Sequence, residues 1–168
     1  MEEQFTFFWN GPFSQWSMDG GGPITQFVCD GEEFNCAEQW MMACKAQLFG
    51  DGETRRKIME SYDPRHQKML GREVKNFDPD VWNEHARRIV FDGNLLKFTQ
   101  NFKYKAELLA TEGTTLVEAS PYDKIWGIGL HDYDPRAQKR STWLGTNWLG
   151  EVLTAVRQAI FDRNTWGD

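Results

Sequence analysis

The segment 79–100 carries the longest helical pattern of the chain. Its apolar residues recur at the spacing of one helix face, and Gly93 alone interrupts them; they are Val81, Trp82, Ala86, Ile89, Val90, Leu95, Leu96 and Phe98. A helix of this length needs a packing partner along its whole apolar stripe. In a chain of 168 residues, it predicts a core built largely from helices.

Shorter patterns complete the predicted architecture. Strands are predicted at 5–9, 24–29 and 115–119, with a glycine-rich loop at 19–23, a turn at Asp30-Gly31 and an extended segment or loop at 126–130. Helices are predicted at 36–49, 106–111 and 149–161. Two further short helices fit the segment from Asp51 to Ser61 and the segment that begins at Asp63-Pro64, a cap followed by a proline at the first helical position. Helix therefore exceeds strand. The prediction is an α+β fold, a single compact, mostly helical domain over residues 1–168 with a small β-sheet.

Charge and hydropathy exclude several classes of protein. With 19 Lys and Arg against 25 Asp and Glu, the net charge is -6, which does not support long-range attraction to nucleic acid. An anionic ligand must therefore be held locally. No apolar run approaches the ~20 residues of a membrane span, and the first residues lack the basic and apolar regions of a signal peptide. We expect a cytoplasmic protein with no membrane partner.

The cysteines and histidines do not form a metal pattern. The chain has three cysteines, Cys29, Cys36 and Cys44, an odd number that does not suggest a set of disulfides. Their spacing is not the Cys-x2-Cys of zinc sites. The histidines are scattered at 66, 85 and 131. We therefore expect reduced thiols, no metal and no cofactor.

The predicted helix at 36–49 holds the first candidate site. Glu38 and Lys45 are seven residues apart, which places them on one face about 10 Å apart along the axis, where both can reach one sugar. Apolar neighbours such as Trp40 would favour the uncharged forms of both side chains, which suit proton transfer and nucleophilic attack. In the competing interpretation, Asn35 and Glu38 form a capping box and Lys45 is merely solvated.

The segment 120–135 holds the second candidate site. Trp126 offers a plane on which a base can stack, and the backbone at Gly127 and Gly129 can approach a sugar or a phosphate. The competing interpretation is a core tryptophan beside solvated turn aspartates. A nearby basic set, Arg136, Lys139 and Arg140, can either hold phosphate or belong to an ordinary charged surface.

Eight ordered blocks of the sequence resemble one known family. They are 11–16 (GPFSQW), 34–46 (FNCAEQWMMACKA), 70–72 (LGR), Trp82, 93–98 (GNLLKF), 116–121 (LVEASP), 123–129 (DKIWGIG) and 143–150 (WLGTNWLG). The order and content of these blocks resemble the NADAR, or YbiA-like, family over about residues 5–157.

The resemblance implies a YbiA-like α+β fold and the hydrolysis of N-glycosidic bonds between ribose and a base. Some members are linked with destroying ribosylamino-pyrimidine phosphates of riboflavin synthesis, and others with removing ADP-ribose from guanine in nucleic acid. The expected substrate is one or the other of these molecules, and the sequence does not decide between them. No metal or cofactor is expected.

Together, the residues and the resemblance predict a set of functional side chains. The predicted catalytic residues are Glu38 and Lys45. The predicted substrate-binding residues are Ser14, Asn35, Arg72, Trp82, Asp123, Trp126, Gly127, Gly129, Asp132 and Asn147. One branch of the family has an aspartate where this chain has Ile128, so the role of that carboxylate passes to Asp132 or Asp134, or is absent.

The expected roles follow from the charge that develops as a ribosyl C–N bond breaks. Glu38 would stabilise positive charge at C1, and Lys45 would attack C1 of a ring-opened ribose to form a Schiff base. Arg72 would bind phosphate, the tryptophans at 82 and 126 would enclose the base, and Asp123 and Asn147 would bind sugar hydroxyls.

Two other functions compete with an N-glycosidase. The first is a non-catalytic module that binds ADP-ribose or a related nucleotide; such a module is expected to lack Glu38 or Lys45, and both are present. The second is a structural adaptor, which does not account for the loop glycines or for eight tryptophans. The sequence therefore favours the enzyme.

Overall fold

The elements of the protein are mostly helices. The structure is a computed structural model that describes residues 2–18 and 23–165. Within them the helices are α1 Ala37–Leu48, α2 Gly52–Glu60, α3 Pro64–Arg72, α4 Pro79–Gln100, α5 Phe102–Leu109 and α6 Trp148–Thr165. The strands are β1 Phe5–Phe8, β2 Phe27–Cys29, β3 Glu32–Phe34 and β4 Thr115–Glu118, and two 3₁₀ helices span Pro135–Gln138 and Arg140–Thr142. The loop predicted at 19–23 lies outside the described residues except for Pro23.

The chain divides into two compact units. The central unit contains residues 15–102, and the terminal unit contains residues 1–14 and 103–168. The central unit holds α1 to α4 with β2 and β3, and the terminal unit holds β1, β4, α6 and nearly all of α5. The α+β class with a predominance of helix is confirmed, and the single domain stays a prediction. None of the described helices has both the length and the apolar character of a membrane span.

The long helix α4 begins and ends where the apolar pattern predicted. Its start is fixed by Asp78, whose carboxylate accepts the backbone N–H groups of Asp80 and Val81, with a proline at the first helical position. The interrupting Gly93 has a packing role, because a Cβ at this position would lie 2.3 Å from the ring of Trp40. The Trp40 indole Nε1 donates to the carbonyl of Ile89 at 2.9 Å. The glycine therefore lets α1 pack closely on α4.

A small hairpin completes the central unit. β2 and β3 pair antiparallel, with Phe27 opposite Phe34, around a turn in which Asp30 and Gly31 both have positive φ. The turn was predicted but β3 was not, because only the last of its three residues is apolar. The rings of Phe27 and Phe34 stack at 5.4 Å and are almost completely buried, so the hairpin contributes to the core.

The terminal unit is organised around a parallel pair of strands. β1 pairs with β4 from Phe5 opposite Thr115 to Phe8 opposite Glu118. On its other edge, β4 donates the N–H of Leu116 to the Thr154 hydroxyl of α6 at 3.0 Å. Buried apolar residues beside β4 form a core cluster: Val117, Ile128, Leu130 and Ala137, with Phe5, Phe7 and Trp143 packed against it. The long segment between the two strands is the connection that a parallel pair requires.

Candidate active site

The start of α1 is held by a network of buried amide side chains. Cys36 is the N-cap residue and its side chain makes no capping bond, so the predicted capping box of Asn35 and Glu38 is wrong. Instead, Gln39 Oε1 accepts the backbone N–H of Asn35 at 2.8 Å. The Asn35 amide accepts from Gln67 Nε2 at 3.0 Å and donates to a backbone carbonyl, that of Tyr62, at 2.7 Å. The helix therefore begins one residue later than predicted. We call the bonded side chains of Asn35, Gln39 and Gln67 at its start the polar frame.

Glu38 lies in the first turn of α1, close to a second charged side chain. Its carboxylate is buried, with the residue 6% exposed, and its backbone N–H donates to the Gln15 carbonyl at 3.0 Å. Burial raises the pKa of Cys36 to about 12; the negative charge of Glu38 adds to this rise and the positive charge of Lys97 opposes it. Both charges therefore act on one buried thiol.

Lys97 is a residue to which sequence reasoning assigned no role. It is fully buried on α4, with its ammonium 5.1 Å from the centre of the Phe98 ring. Charged side chains are almost never fully buried unless they are paired. The signal was available in the helical spacing, since Asn94 and Lys97 continue the buried stripe of Ala86 and Val90 along α4.

Lys45 lies in the last turn of α1, with two aromatic rings beside its amine. The Nζ atom is 4.5 Å from the centre of the Phe77 ring and 5.5 Å from that of the Trp82 ring. Burial lowers the pKa of Lys45; the charge of Glu38 works against this shift and the charge of Arg72 adds to it. The site thus favours the neutral amine more than water does, and this amine is the form that attacks a carbonyl-level carbon.

Phe77 is the second residue that sequence reasoning missed. It directly precedes Asp78, the N-cap of α4, and Trp82 stands at the fourth helical position. These are the two positions of a hydrophobic staple, so the capping signal at Asp78 could have paired the rings. Arg72, exposed at the end of α3, is the predicted phosphate-binding residue, and it acts electrostatically on the same amine.

In the terminal unit, Asp123 shapes the turn that carries Trp126. Its Oδ1 accepts the backbone N–H groups of Ile125 at 2.9 Å and of Trp126 at 2.8 Å. The half-buried Trp126 ring contacts Trp148 edge to face, with 5.5 Å between ring centres. The aspartate therefore holds the tryptophan in place, and its contact with a sugar stays a prediction.

The two predicted glycines are accounted for within the loop itself. A Cβ at Gly127 would lie 2.9 Å from the Asp123 carbonyl and 3.0 Å from the Glu118 carbonyl, and Gly129 has a φ of +71°. Gly129 also donates its N–H to the Asp123 carbonyl at 3.1 Å. The close approach inferred from the sequence is thus between parts of the protein backbone.

Asn147 is fully buried and serves β4. Its Oδ1 accepts the N–H of Glu118 and its Nδ2 donates to the carbonyl of Leu116, both at 3.0 Å. Its positive φ of 54° is one that asparagine tolerates. The amide side chain thus replaces a neighbouring strand on this edge, and its contact with a sugar stays a prediction.

The predicted site residues are divided between the two units. The central unit holds Asn35, Glu38, Lys45, Arg72 and Trp82, and the terminal unit holds Ser14, Asp123, Trp126, Gly127, Gly129, Asp132 and Asn147. Ser14 is half-buried and Asp132 is exposed. Of the basic set, Arg136 pairs with Asp134, and Arg140 pairs with Glu3 and Glu151. Those two arginines therefore already have carboxylate partners.

The described residues contain no group of three or more His, Cys, Asp or Glu side chains arranged to hold a metal ion.

Comparison with known proteins identifies relatives across nearly the whole chain. The family model of the NADAR domain matches residues 7–161. An N-glycosidase of Acanthamoeba polyphaga mimivirus is 46% identical over 150 residues, covering 87% of this chain and 85% of that protein. The chloroplastic riboflavin biosynthesis protein PYRR of Arabidopsis thaliana is 30% identical over 105 residues, covering 60% of this chain and 16% of that protein.

A solved structure has the same fold. The NMR structure of the Escherichia coli protein YbiA matches with a TM-score of 0.75 at 23% identity, covering 100% of this chain and 90% of that one. This likeness confirms the YbiA-like fold predicted from the sequence.

Proposed function

Because the chain belongs to the NADAR domain family, we propose that it removes ADP-ribose from ADP-ribosylated guanine in nucleic acid. It is a hydrolase of N-glycosyl bonds, as the relative named N-glycosidase is. The observation that carries the proposal is the amine of Lys45, which lies between aromatic rings with a pKa lowered by burial. Glu38 and Arg72 act on this amine with opposite charges.

The proposed reaction uses the neutral amine as a nucleophile. Opening of the ribose ring breaks the bond between C1 and the ring oxygen, whose electron pair goes to the oxygen, which takes a proton. The lone pair of the base nitrogen forms the double bond to C1. Lys45 Nζ adds to C1, and the base then leaves with a proton, so that C1 becomes an imine of the lysine. Water hydrolyses the imine, which returns the amine and releases the sugar as an aldehyde that closes again.

Glu38 has two tasks in this sequence. Its carboxylate stabilises the positive charge that develops at C1, and it carries protons between the amine, the leaving base and water. Arg72 is exposed, acts electrostatically on the amine and supplies a guanidinium for a phosphate of the substrate. If Lys45 forms no bond, a water activated by Glu38 attacks C1 directly.

A second substrate is favoured by one of the relatives. A ribosylamino-pyrimidine phosphate contains the same bond between ribose and an exocyclic nitrogen, and the Arabidopsis relative is named for riboflavin biosynthesis. A module that binds ADP-ribose without cleaving it would need Arg72 for binding, but it would not need an amine whose pKa burial lowers and on which a carboxylate acts.

Product analysis tests the proposal. The protein is incubated with an oligonucleotide carrying ADP-ribosylated guanine and, separately, with a ribosylamino-pyrimidine phosphate, and the released species are identified by mass. We expect free ADP-ribose and an unmodified oligonucleotide from the first reaction, and no release by Glu38→Gln. Release only from the pyrimidine would select the second substrate. If the protein binds both compounds and cleaves neither, it is a binding module.

A further inference from the structure

Helix α3 packs on the face of α1 that carries both predicted catalytic side chains. Met42 follows Glu38 by four residues and precedes Lys45 by three, so the three side chains share one face of α1. A Cβ at Gly71 would lie 2.0 Å from the Met42 sulfur, which shows how closely α3 approaches this face. Arg72 directly follows that contact, and its charge acts on Lys45.

The earlier part of α3 lies beside the start of α1. Gln67 donates to Asn35 Oδ1 at 3.0 Å and accepts a hydrogen bond from the Cys36 thiol at 3.1 Å. Because later residues of α3 contact later residues of α1, the two helices run side by side in the same direction. The exposed side chains of α3 are therefore spread along the line that joins Glu38 to Lys45.

The exposed face of α3 carries three positive charges. Arg65, Lys68 and Arg72 share this face by their spacing, and all three are exposed. Within residues 2–18 and 23–165, none of them forms an ion pair with a carboxylate, whereas all three basic residues of α2 do: Arg55 with Glu32, Arg56 with Glu60 and Lys57 with Glu53. We call Arg65, Lys68 and Arg72 the basic row. Its charges are available to an anionic ligand.

Lys68 is held next to the turn of α1 that carries Glu38. The Lys68 ammonium lies 5.9 Å from the centre of the Trp16 ring, a contact that attracts a cation to the ring face. The residue before this tryptophan, Gln15, accepts the backbone N–H of Glu38 at its carbonyl, at 3.0 Å. One short segment of chain thus contacts both Lys68 and the first turn of α1.

Two cations one helical turn apart suit two linked phosphates. Lys68 and Arg72 are four residues apart, which is about 6 Å along the helix axis, and both side chains are long enough to converge on neighbouring groups. A guanidinium binds phosphate oxygens in pairs, and an ammonium binds them as a point charge. Because the whole chain carries a charge of -6, these local charges must hold the anion.

We propose that Lys68 is a second phosphate-binding residue and makes the site selective for a diphosphate. The inference rests on the proposed function: ADP-ribose has two linked phosphates beyond the ribose that reacts at Lys45, whereas a ribosylamino-pyrimidine phosphate has one. Arg72, whose charge acts on the amine, binds the phosphate attached to the reacting ribose, and Lys68 binds the next phosphate. Lys68 is thus a determinant of specificity and takes no part in the chemistry.

Ligands with one or two phosphates test the proposal in matched variants. Lys68→Gln and Arg72→Gln each remove one charge of the basic row. Lys57→Gln is the control, because it makes the same change at an exposed position of α2 that is paired with a carboxylate. Isothermal titration measures the binding of ADP-ribose, inorganic pyrophosphate and ribose 5-phosphate to each protein, and melting temperatures check that each variant is folded.

We expect Lys68→Gln to weaken the binding of ADP-ribose and pyrophosphate about tenfold or more, as the loss of a charge-assisted hydrogen bond does. Binding of ribose 5-phosphate should be unchanged. Arg72→Gln should weaken all three ligands, and Lys57→Gln none. Parental binding of ADP-ribose by Lys68→Gln would overturn the proposal. So would an equal loss for ADP-ribose and ribose 5-phosphate, or a loss for ADP-ribose without one for pyrophosphate.

These binding measurements separate the proposal from the proposed function, because they involve no chemistry. If the parent cleaves no ADP-ribosylated substrate but Lys68→Gln shows the selective loss, the proposed function fails and the diphosphate site stands. If the parent cleaves ADP-ribosylated guanine, Lys68→Gln should raise KM and keep kcat. An unchanged KM together with parental binding of ADP-ribose would mean that only this inference fails.

Discussion

The start of α1 and the loop at 120–129 hold their functional side chains by different means. At α1, buried amide side chains fix the backbone: Asn35 bonds to Gln39 and to Gln67, and both glutamines donate to the Ser61 carbonyl. In the loop, backbone hydrogen bonds hold the chain, and the side chains of Ser120 and Asp123 accept backbone N–H groups of the turn.

This difference separates charge chemistry from ring recognition. A carboxylate and an amine that must keep a set environment are carried by a helix on a buried polar frame, where solvent screens them weakly. A ring that stacks on a base needs an exposed face, and we propose this role for the half-buried Trp126, which the loop carries on a backbone held by hydrogen bonds. Substitutions at the start of α1 should therefore lower the stability or kcat of the protein. Substitutions in the loop should weaken its binding of the substrate.

Glu38→Gln is expected to have the largest effect on activity. Glutamine keeps the shape of the side chain but cannot carry the negative charge that stabilises C1, so kcat should fall about 10²- to 10³-fold. The melting temperature should stay close to that of the parent. The matched control is Glu33→Gln, at an exposed position of β3, and this variant should retain parental kcat. A parental rate in Glu38→Gln would remove the carboxylate from the mechanism.

Trp126→Ala should weaken binding through loss of stacking. If a base lies on this ring, its removal should cost about 1–3 kcal/mol in binding, while a base-free ribose phosphate should bind nearly as before. Isothermal titration with both ligands measures the difference. Because the ring also contacts Trp148, an equal loss for both ligands with a large fall in melting temperature would assign Trp126 to the core.

Gln67→Ala should affect stability more than the chemistry. The fully buried amide donates to Asn35 Oδ1 and to the Ser61 carbonyl, so its loss removes two buried hydrogen bonds at a cost of about 1–3 kcal/mol. Urea unfolding measures this cost. The exposed neighbour Lys68→Ala is the control and should unfold like the parent. Unchanged stability of Gln67→Ala would mean that the frame under α1 does not depend on this side chain.

Asp51 links the end of α1 to the following elements and predicts a dependence on pH. Hydrogen bonds from Lys75 and Thr54 lower the pKa of Asp51 from 3.8 to about 2. A carboxyl whose pKa is depressed in the folded state stabilises the fold above the unfolded pKa, and this contribution is lost as pH falls from about 4 to 2. Asp51→Asn should therefore be less stable at pH 6 and lose less stability across that window. Parallel stability curves for parent and variant would contradict this assignment.

Local signals allowed much of the fold to be predicted from the sequence. The bounds of α4 follow from the apolar stripe between Pro79 and Gln100, and the start of α3 follows from Asp63-Pro64. The pairing of β1 with β4 could not be predicted from the sequence, because it joins segments more than a hundred residues apart and no local pattern encodes it. β3 was missed since it is short and mostly charged.

Prediction of the candidate site was limited in the same way, by contacts between residues that are distant in the sequence. Residue type and helical spacing were enough to place Glu38 and Lys45 on one helix, but the rings beside the amine come from Phe77 and Trp82, outside that helix. The capping interpretation failed because Asn35 bonds to Gln67, a partner 32 residues away that a local motif cannot include. The burial of Lys97 likewise depends on packing between helices.

The most direct test of the account is borohydride reduction during turnover, followed by mass analysis of peptides. Burial lowers the pKa of Lys45, so a larger share of this lysine than of a lysine in water is the neutral amine that forms an imine with ribose. Lys45→Arg keeps the charge but stays protonated, and it should bind substrate without turnover. We predict a reduced ribosyl adduct on Lys45 that is absent from this variant. An unmodified Lys45 with an active Lys45→Arg, or an adduct on another amine such as that of Lys97, would contradict the account.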